Sequence, residues 1–281
     1  MTGDNRRRCG GSRPVRSGVL ELVLTRGMLT RLAAKWLDLK GYALLDTCSR
    51  QHHYARDGLF TAHNDRFRDD PAFRAAYARG VAASRGFDPK MEWRVHVALW
   101  AALTASRAAG DFVECGVNAG FISSAIMQRL EWEKTGKRFY LIDTFGGPVL
   151  TQYSREEIED GRLKAAEDNI SKGAYVTDLE RVRANYAEWP KVEIVQGAVP
   201  EVLPSLAIDS VAFLHIDMNC AYPERAALEH FWGILSPGAM VLLDDYTYVG
   251  FDALAEAIHA AVAPLGAEVL SLPTGQGLIM K

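Results

Sequence analysis

From residue 111 onward, short continuous apolar runs alternate with longer stretches whose apolar residues recur at helical spacing. The runs are DFVEC, RFYLID, VEIVQ, VAFLHID, MVLLDD, AEVLSL and GLIMK. Those at 112–115, 139–142, 192–195, 211–216 and 240–243 lack the polar alternation of a half-exposed strand, so they predict parallel strands buried on both faces. Helices are predicted between them at about 120–134, 155–172, 178–188, 223–235 and 251–264. Ser154 and Glu157 stand at capping-box spacing at the start of the second. The last two runs are joined by LPTG, too short for a parallel crossover, so the final strand is predicted antiparallel. The fold class predicted is α/β, a seven-stranded doubly wound, mostly parallel sheet with an antiparallel last strand.

Upstream, residues 19 to about 90 read as mostly helical, with no strong strand signal. Asp70-Pro71 is a helix start, a capping side chain followed by proline at the first helical position. A further helix is predicted over 91–109, stopping at Gly110, with Trp93, Val95, Val97, Leu99, Trp100 and Leu103 as packing residues. The organisation expected is a disordered basic tail at 1–18, a helical extension capping the acceptor at 19–109, and a cofactor-binding domain at 110–281.

Composition narrows the function classes. Of the 281 residues 48% are hydrophobic and 24% charged, with a formal charge of −3, so no global field gathers nucleic acid or an anionic membrane. No apolar run approaches a membrane-spanning length. The first eighteen residues hold five arginines, but charged residues interrupt the segment where a signal peptide is apolar. Cys9, Cys48, Cys115 and Cys220 form no C-x-x-C pair, which speaks against zinc ribbons and thioredoxin-like motifs and for a reducing, cytoplasmic setting.

In doubly wound sheets ligands bind beyond the carboxyl ends of the strands. The first strand of the sheet runs into Glu114-Cys115-Gly116-Val117-Asn118-Ala119-Gly120, and the second ends at Asp143, an acid suited to ribose hydroxyls. The spacing G-x-x-x-G lacks the middle glycine of a dinucleotide fingerprint. A negative Glu114 suits a cationic amino-acid ligand better than a diphosphate. S-adenosylmethionine, with an ammonium, a sulfonium and no phosphate, is therefore the expected cofactor. Its candidate contacts are Glu114, Gly116, Val117, Asn118, Gly120, Asp143 and Gln196. Ser123 is a candidate for the cofactor carboxylate, with helix surface the expectation for at least one of Ser123 and Ser124.

Two further strand ends carry acids, His215-Ile216-Asp217-Met218-Asn219 and Asp244-Asp245-Tyr246. Neighbouring strands lie about 4.8 Å apart, so Asp217, Asp244 and Asp245 are predicted to converge. Their repulsion calls for a cation, and an all-oxygen set favours Mg²⁺. His215 shares the side of its strand with Asp217 and is a candidate base, although a hydrogen-bonded core histidine is the commoner fate of such a residue.

These motifs resemble the macrocin O-methyltransferase (TylF-like) family, which includes the mycinamicin and noviose enzymes. The resemblance rests on DFVECGVNAGFIS, FYLIDTFGG, VQGAVPEVLP, FLHIDMNCAYPERAALEHFWGILSPGAMVLLDDY and LPTGQGLI, covering roughly 110–281. It implies S-adenosylmethionine- and Mg²⁺-dependent methylation of a hydroxyl on a sugar or secondary-metabolite acceptor with vicinal hydroxyls. Asp217, Asp244 and Asp245 fall on the family's metal positions, and the 114–120 loop and Asp143-Thr144-Phe145 on its cofactor positions. The family's usual second aspartate in H-I-D-x-D-x-Y, its general base, is Asn219 here, and an amide takes no proton at neutral pH. His215 and Tyr246, expected at the same sheet edge, are the candidates to serve as base in its place. The alternatives are a cofactor-binding but inactive accessory module and, disfavoured by the glycine spacing, a nicotinamide oxidoreductase. The helical preamble offers apolar faces for a homo-oligomer; no nucleic-acid or membrane partner is expected.

Overall fold

In a computed structural model of the chain, residues 35–36, 54–61 and 63–281 are described. The basic tail expected at 1–18, and nearly all of the helical reading over 19–53, lie outside the described residues. The described chain opens with a hairpin, β1 (Tyr54–Arg56) and β2 (Leu59–Thr61), paired antiparallel. This corrects the all-helical reading. Asp57-Gly58 is a turn dipeptide favoured in two-residue hairpins, with both residues at positive φ, and three-residue strands are too short to show a period.

Helices α1 (Pro71–Ala83) and α2 (Glu92–Ala105) follow. Asp70 caps α1, its carboxylate accepting from the N–H of Ala72 at 2.9 Å, with Pro71 at the first position. Asp70→Ala is expected to cost about 1 kcal/mol in urea unfolding, the usual value of such a cap. Helix α2 stops at Ala105, four residues before its predicted end, and Trp100 is 53% exposed rather than packed.

The main sheet contains β3 (Asp111–Cys115), β4 (Phe139–Asp143), β5 (Val192–Gln196), β6 (Val211–Ile216), β7 (Leu235–Leu243), β8 (Leu270–Ser271) and β9 (Gly277–Met280), in the order β5-β4-β3-β6-β7-β9-β8. The first five run parallel, and β9 pairs antiparallel with β7 and β8, as the short final link requires. Between them lie α3 (Phe121–Leu130), α4 (Arg155–Glu159), α5 (Arg162–Ser171), α6 (Leu179–Tyr186), α7 (Ala221–Trp232) and α8 (Asp252–Val262).

Strand periodicity sorts the core into two layers. Phe112, Leu141, Phe213 and Met240 join α1, α2 and α3 on one face; Val113, Ile142, Leu214 and Val241 join α7 and α8 on the other. The central strands are buried on both faces as predicted. β5 is the exception: it is the sheet edge, and its residues are only partly buried. The helix predicted over 155–172 is two helices, α4 and α5, broken at Gly161, whose backbone is left-handed. Its capping box is present, with Ser154 Oγ accepting from the Glu157 N–H and Glu157 accepting from the Ser154 N–H. Cys115 and Cys220 are buried thiols. Among the described residues no helix is long and apolar enough to cross a membrane.

Candidate active site

The carboxyl ends of β3, β4, β5 and β6 open on a cleft. Gly116, Asn118, Asp143, Thr144, Gly197, Asp217 and Asn219 are among its walls. Gly116 has φ +91°, and a Cβ there would lie 1.8 Å from the carbonyl oxygen of Asp217, so the loop after β3 is pressed directly against the end of β6. Gly120 likewise leaves space for the Tyr186 hydroxyl. At both positions the chain passes too close to its neighbours for a side chain to fit without displacing them.

Asp143 acts first on the protein. One carboxylate oxygen accepts the N–H groups of Val117 and Asn118 at 2.7 and 2.8 Å, and the other accepts that of Phe145 at 2.7 Å. It therefore shapes the loop as well as facing the cleft. The Asn118 amide ties that loop to the segment before α6, donating to Ala174 O and accepting from Val176 N. Thr144 donates to Gly147 O at 2.6 Å, Phe145 and Val117 are buried, and Gln196 reaches across to Thr144 O.

Two of the expected cofactor contacts face elsewhere. Glu114, 2% exposed, lies 2.9 Å from His215 Nδ1 on the neighbouring strand. Ser123 is fully buried against the Tyr186 hydroxyl at 2.7 Å, and Ser124 is fully buried too, so the surface position expected for one of them does not occur. In both cases the register of sheet and helix aims the side chain inward.

The carboxylates of Asp217, Asp244 and Asp245 do meet: one ligand oxygen from each lies within 4.8 Å of the others. They are not alone. Arg94, from α2, places Nη1 2.6 Å from Asp244 Oδ2 and 3.1 Å from Asp245 Oδ1, and pairs through Nε with Asp57 in the β1–β2 turn at 2.8 Å. Gln276 donates to Asp244 Oδ1 at 2.9 Å, and Asn219 donates to Asp217 Oδ1 at 2.9 Å. The buried Glu224 accepts the N–H groups of Met218 and Asn219, holding Asn219 in its left-handed conformation. Arg94, Asp57, Glu224 and Gln276 carry no sequence signal: a single arginine in an apolar helix reads the same whether it meets solvent or a carboxylate 150 residues away.

Electrostatics report an excess of negative charge. Burial, then Asp244 and Asp245, push the Asp217 pKa well above the usual carboxylate range. Burial and the Asp244 charge raise Asp245 to about 6. Burial also acts to raise Asp244, but Arg94 and His215 hold it below its ordinary value. Burial opposes a charge on His215, yet the adjoining Asp244 and Glu114 carboxylates outweigh it and raise its pKa to about 10. His215 is buried between Glu114 and Asp244, 2.9 Å from the one and 3.9 Å from the other, and braces the cluster from behind. Tyr246 is buried too, and its hydroxyl bonds to His259.

Arg94 pairs with three of the four carboxylates, Asp57, Asp244 and Asp245, which leaves room in charge and in oxygen donors for a divalent ion. The residues present therefore fit a hard cation at this position.

A family model described as a methyltransferase domain matches residues 113–246. Over 157 residues the chain is 29% identical to 8-demethyl-8-(2,3-dimethoxy-alpha-L-rhamnosyl)-tetracenomycin-C 4'-O-methyltransferase of Streptomyces olivaceus, covering 53% of this chain and 57% of that protein. The chain thus spans little more than half the length of that relative. Among solved structures it is similar to the O-methyltransferase NovP, with TM-score 0.56 and 18% identity over 67% of this chain and 79% of that one. The strand order with its reversed last strand and the methyltransferase-domain match over 113–246 agree: the chain has the class I methyltransferase fold.

Proposed function

We propose that the chain transfers a methyl group from S-adenosylmethionine to a hydroxyl of a sugar or other secondary-metabolite acceptor, using a divalent ion, Mg²⁺ first, at Asp217, Asp244 and Asp245. The observation that carries this reading is that Gly116 packs on the backbone of Asp217, so the loop after β3 and one member of the carboxylate cluster line the same cleft. The sugar acceptor follows the name of the rhamnosyl-tetracenomycin relative.

Asp143 preforms the cofactor loop by holding two of its N–H groups, those of Val117 and Asn118, and Gly116 lets that loop close on β6. S-adenosylmethionine, which Gly116 and Asn118 in the loop after β3 and Asp143 at the end of β4 would hold, would supply the methyl group and depart as S-adenosylhomocysteine, with the hydroxyl proton released to water. A divalent ion, when bound, supplies Lewis acidity and a template for the acceptor oxygens. Asn219 orients Asp217 through its amide and takes no proton. That substitution also favours a second reading, a cofactor-binding accessory protein without turnover.

Calorimetry with S-adenosylmethionine, S-adenosylhomocysteine and NADH, paired with methyl transfer to rhamnosylated aromatic acceptors, tests the assignment. Both sulfur compounds are expected to bind and NADH not to. EDTA is expected to cut turnover at least about 100-fold without unfolding the chain. Failure of both sulfur compounds to bind overturns the reading, and EDTA-insensitive turnover removes the metal from it. Tight cofactor binding with turnover only in Asn219→Asp selects the accessory reading.

A further inference from the structure

The acidic cluster is built around a cation of its own. Arg94 is 7% exposed and touches carboxylates from two different regions of the chain, Asp244 and Asp245 at the end of β7 and Asp57 in the β1–β2 turn. Its guanidinium lies over the Tyr248 ring at 4.7 Å, which leaves it little freedom to swing away. Both oxygens of Asp244 already accept from the protein, one from Gln276 and one from Arg94.

We propose that Arg94 is a resident counter-ion that competes with a divalent ion for Asp244 and Asp245 and so sets the affinity of the cluster. Asp57 draws the Nε side of the guanidinium toward the hairpin and moderates that competition. The inference rests on the reading that the cluster takes a divalent ion. Its physical basis is direct. A positive group bonded to two of the three ligand carboxylates lowers the potential an incoming cation meets and engages oxygens it needs. Removing the guanidinium while keeping an apolar stem deepens the potential and releases those oxygens. Removing Asp57 leaves the arginine charge directed wholly at Asp244 and Asp245. A purely structural Arg94–Asp57 link predicts weaker ion binding in both variants; a counter-ion predicts opposite signs.

The test is Mn²⁺ binding to the full chain by electron paramagnetic resonance, with Mg²⁺ competition, at saturating S-adenosylhomocysteine. Circular dichroism checks the fold. Arg94→Met is expected to bind Mn²⁺ at least about tenfold more tightly than the wild type, Arg94→Lys within about threefold of it, and Asp57→Asn at least about threefold more weakly. A folded Arg94→Met that binds no more tightly overturns the proposal. If that variant does not fold, Asp57→Asn decides, and unchanged or tighter binding there overturns it. Binding in Arg94→Met with none in the wild type supports the counter-ion and removes the metal from the proposed function. Equal binding in both leaves the metal reading standing and removes the counter-ion. Absence of binding in wild type, Arg94→Met and Asp57→Asn overturns both.

Discussion

Gly116→Ala is expected to destabilise the chain by at least about 3 kcal/mol and to abolish binding of S-adenosylhomocysteine. Two costs combine. The backbone at φ +91° is one that an L side chain rarely adopts, worth about 1–3 kcal/mol by itself. The added Cβ would also lie 1.8 Å from the carbonyl oxygen and 2.5 Å from the carbonyl carbon of Asp217. Those are backbone atoms just beyond β6, so relief requires parting the loop from the sheet, and the loop is the wall on which the cofactor is proposed to lie. Gly120→Ala meets the Tyr186 hydroxyl instead, a side-chain atom that can withdraw, and is expected to cost less. Urea unfolding and calorimetry of both variants check the ranking. A Gly116→Ala chain with wild-type midpoint and affinity would remove the close contact between loop and strand.

Asp217→Asn separates function from stability. The substitution keeps shape but removes one of the three converging charges, so methyl transfer is expected to fall at least about 100-fold. In EDTA the same variant is expected to be more stable than the wild type, by about 1 kcal/mol at pH 7, because burial and two neighbouring carboxylates disfavour the Asp217 charge. The pH dependence has a definite sign. Asp217 and Asp245 hold protons more tightly folded than unfolded, so their contribution is fully present below about pH 4 and is lost as pH rises, that of Asp245 through about 6. The variant is expected to flatten that loss. Thermal melts in EDTA across pH 4 to 7.5 read the stability, and single-turnover assays read the chemistry. Undiminished turnover would exclude Asp217 from the reaction.

The two results together address how one buried cluster serves two ends. Asp217, Asp244 and Asp245 are costly to hold together without a cation, and the chain meets part of that cost with Arg94 and His215, each of which faces Asp244. Much of the strain is left on Asp217 and Asp245, the two carboxylates whose pKa values rise. That remaining charge is what a divalent ion would neutralise.

Much of this was legible along the chain. Continuous apolar runs separated by helical periods determined a parallel sheet, the four-residue final link determined the antiparallel last strand, and strand ends marked Asp143, Asp217, Asp244 and Asp245 as residues of one edge. Each of these follows from local rules, because period and loop length limit which faces are buried and which strands can pair. Other features depended on the assembled chain. The hairpin at Tyr54–Thr61 was too short for a period, β5 was an edge only by sheet order, and Glu114 and Ser123 turned inward by the register of their elements. Above all, Arg94 found Asp244 across 150 residues. A buried charge chooses its partner by distance and desolvation once helices and strands have packed, and neither quantity is written in the spacing of residues along a sequence.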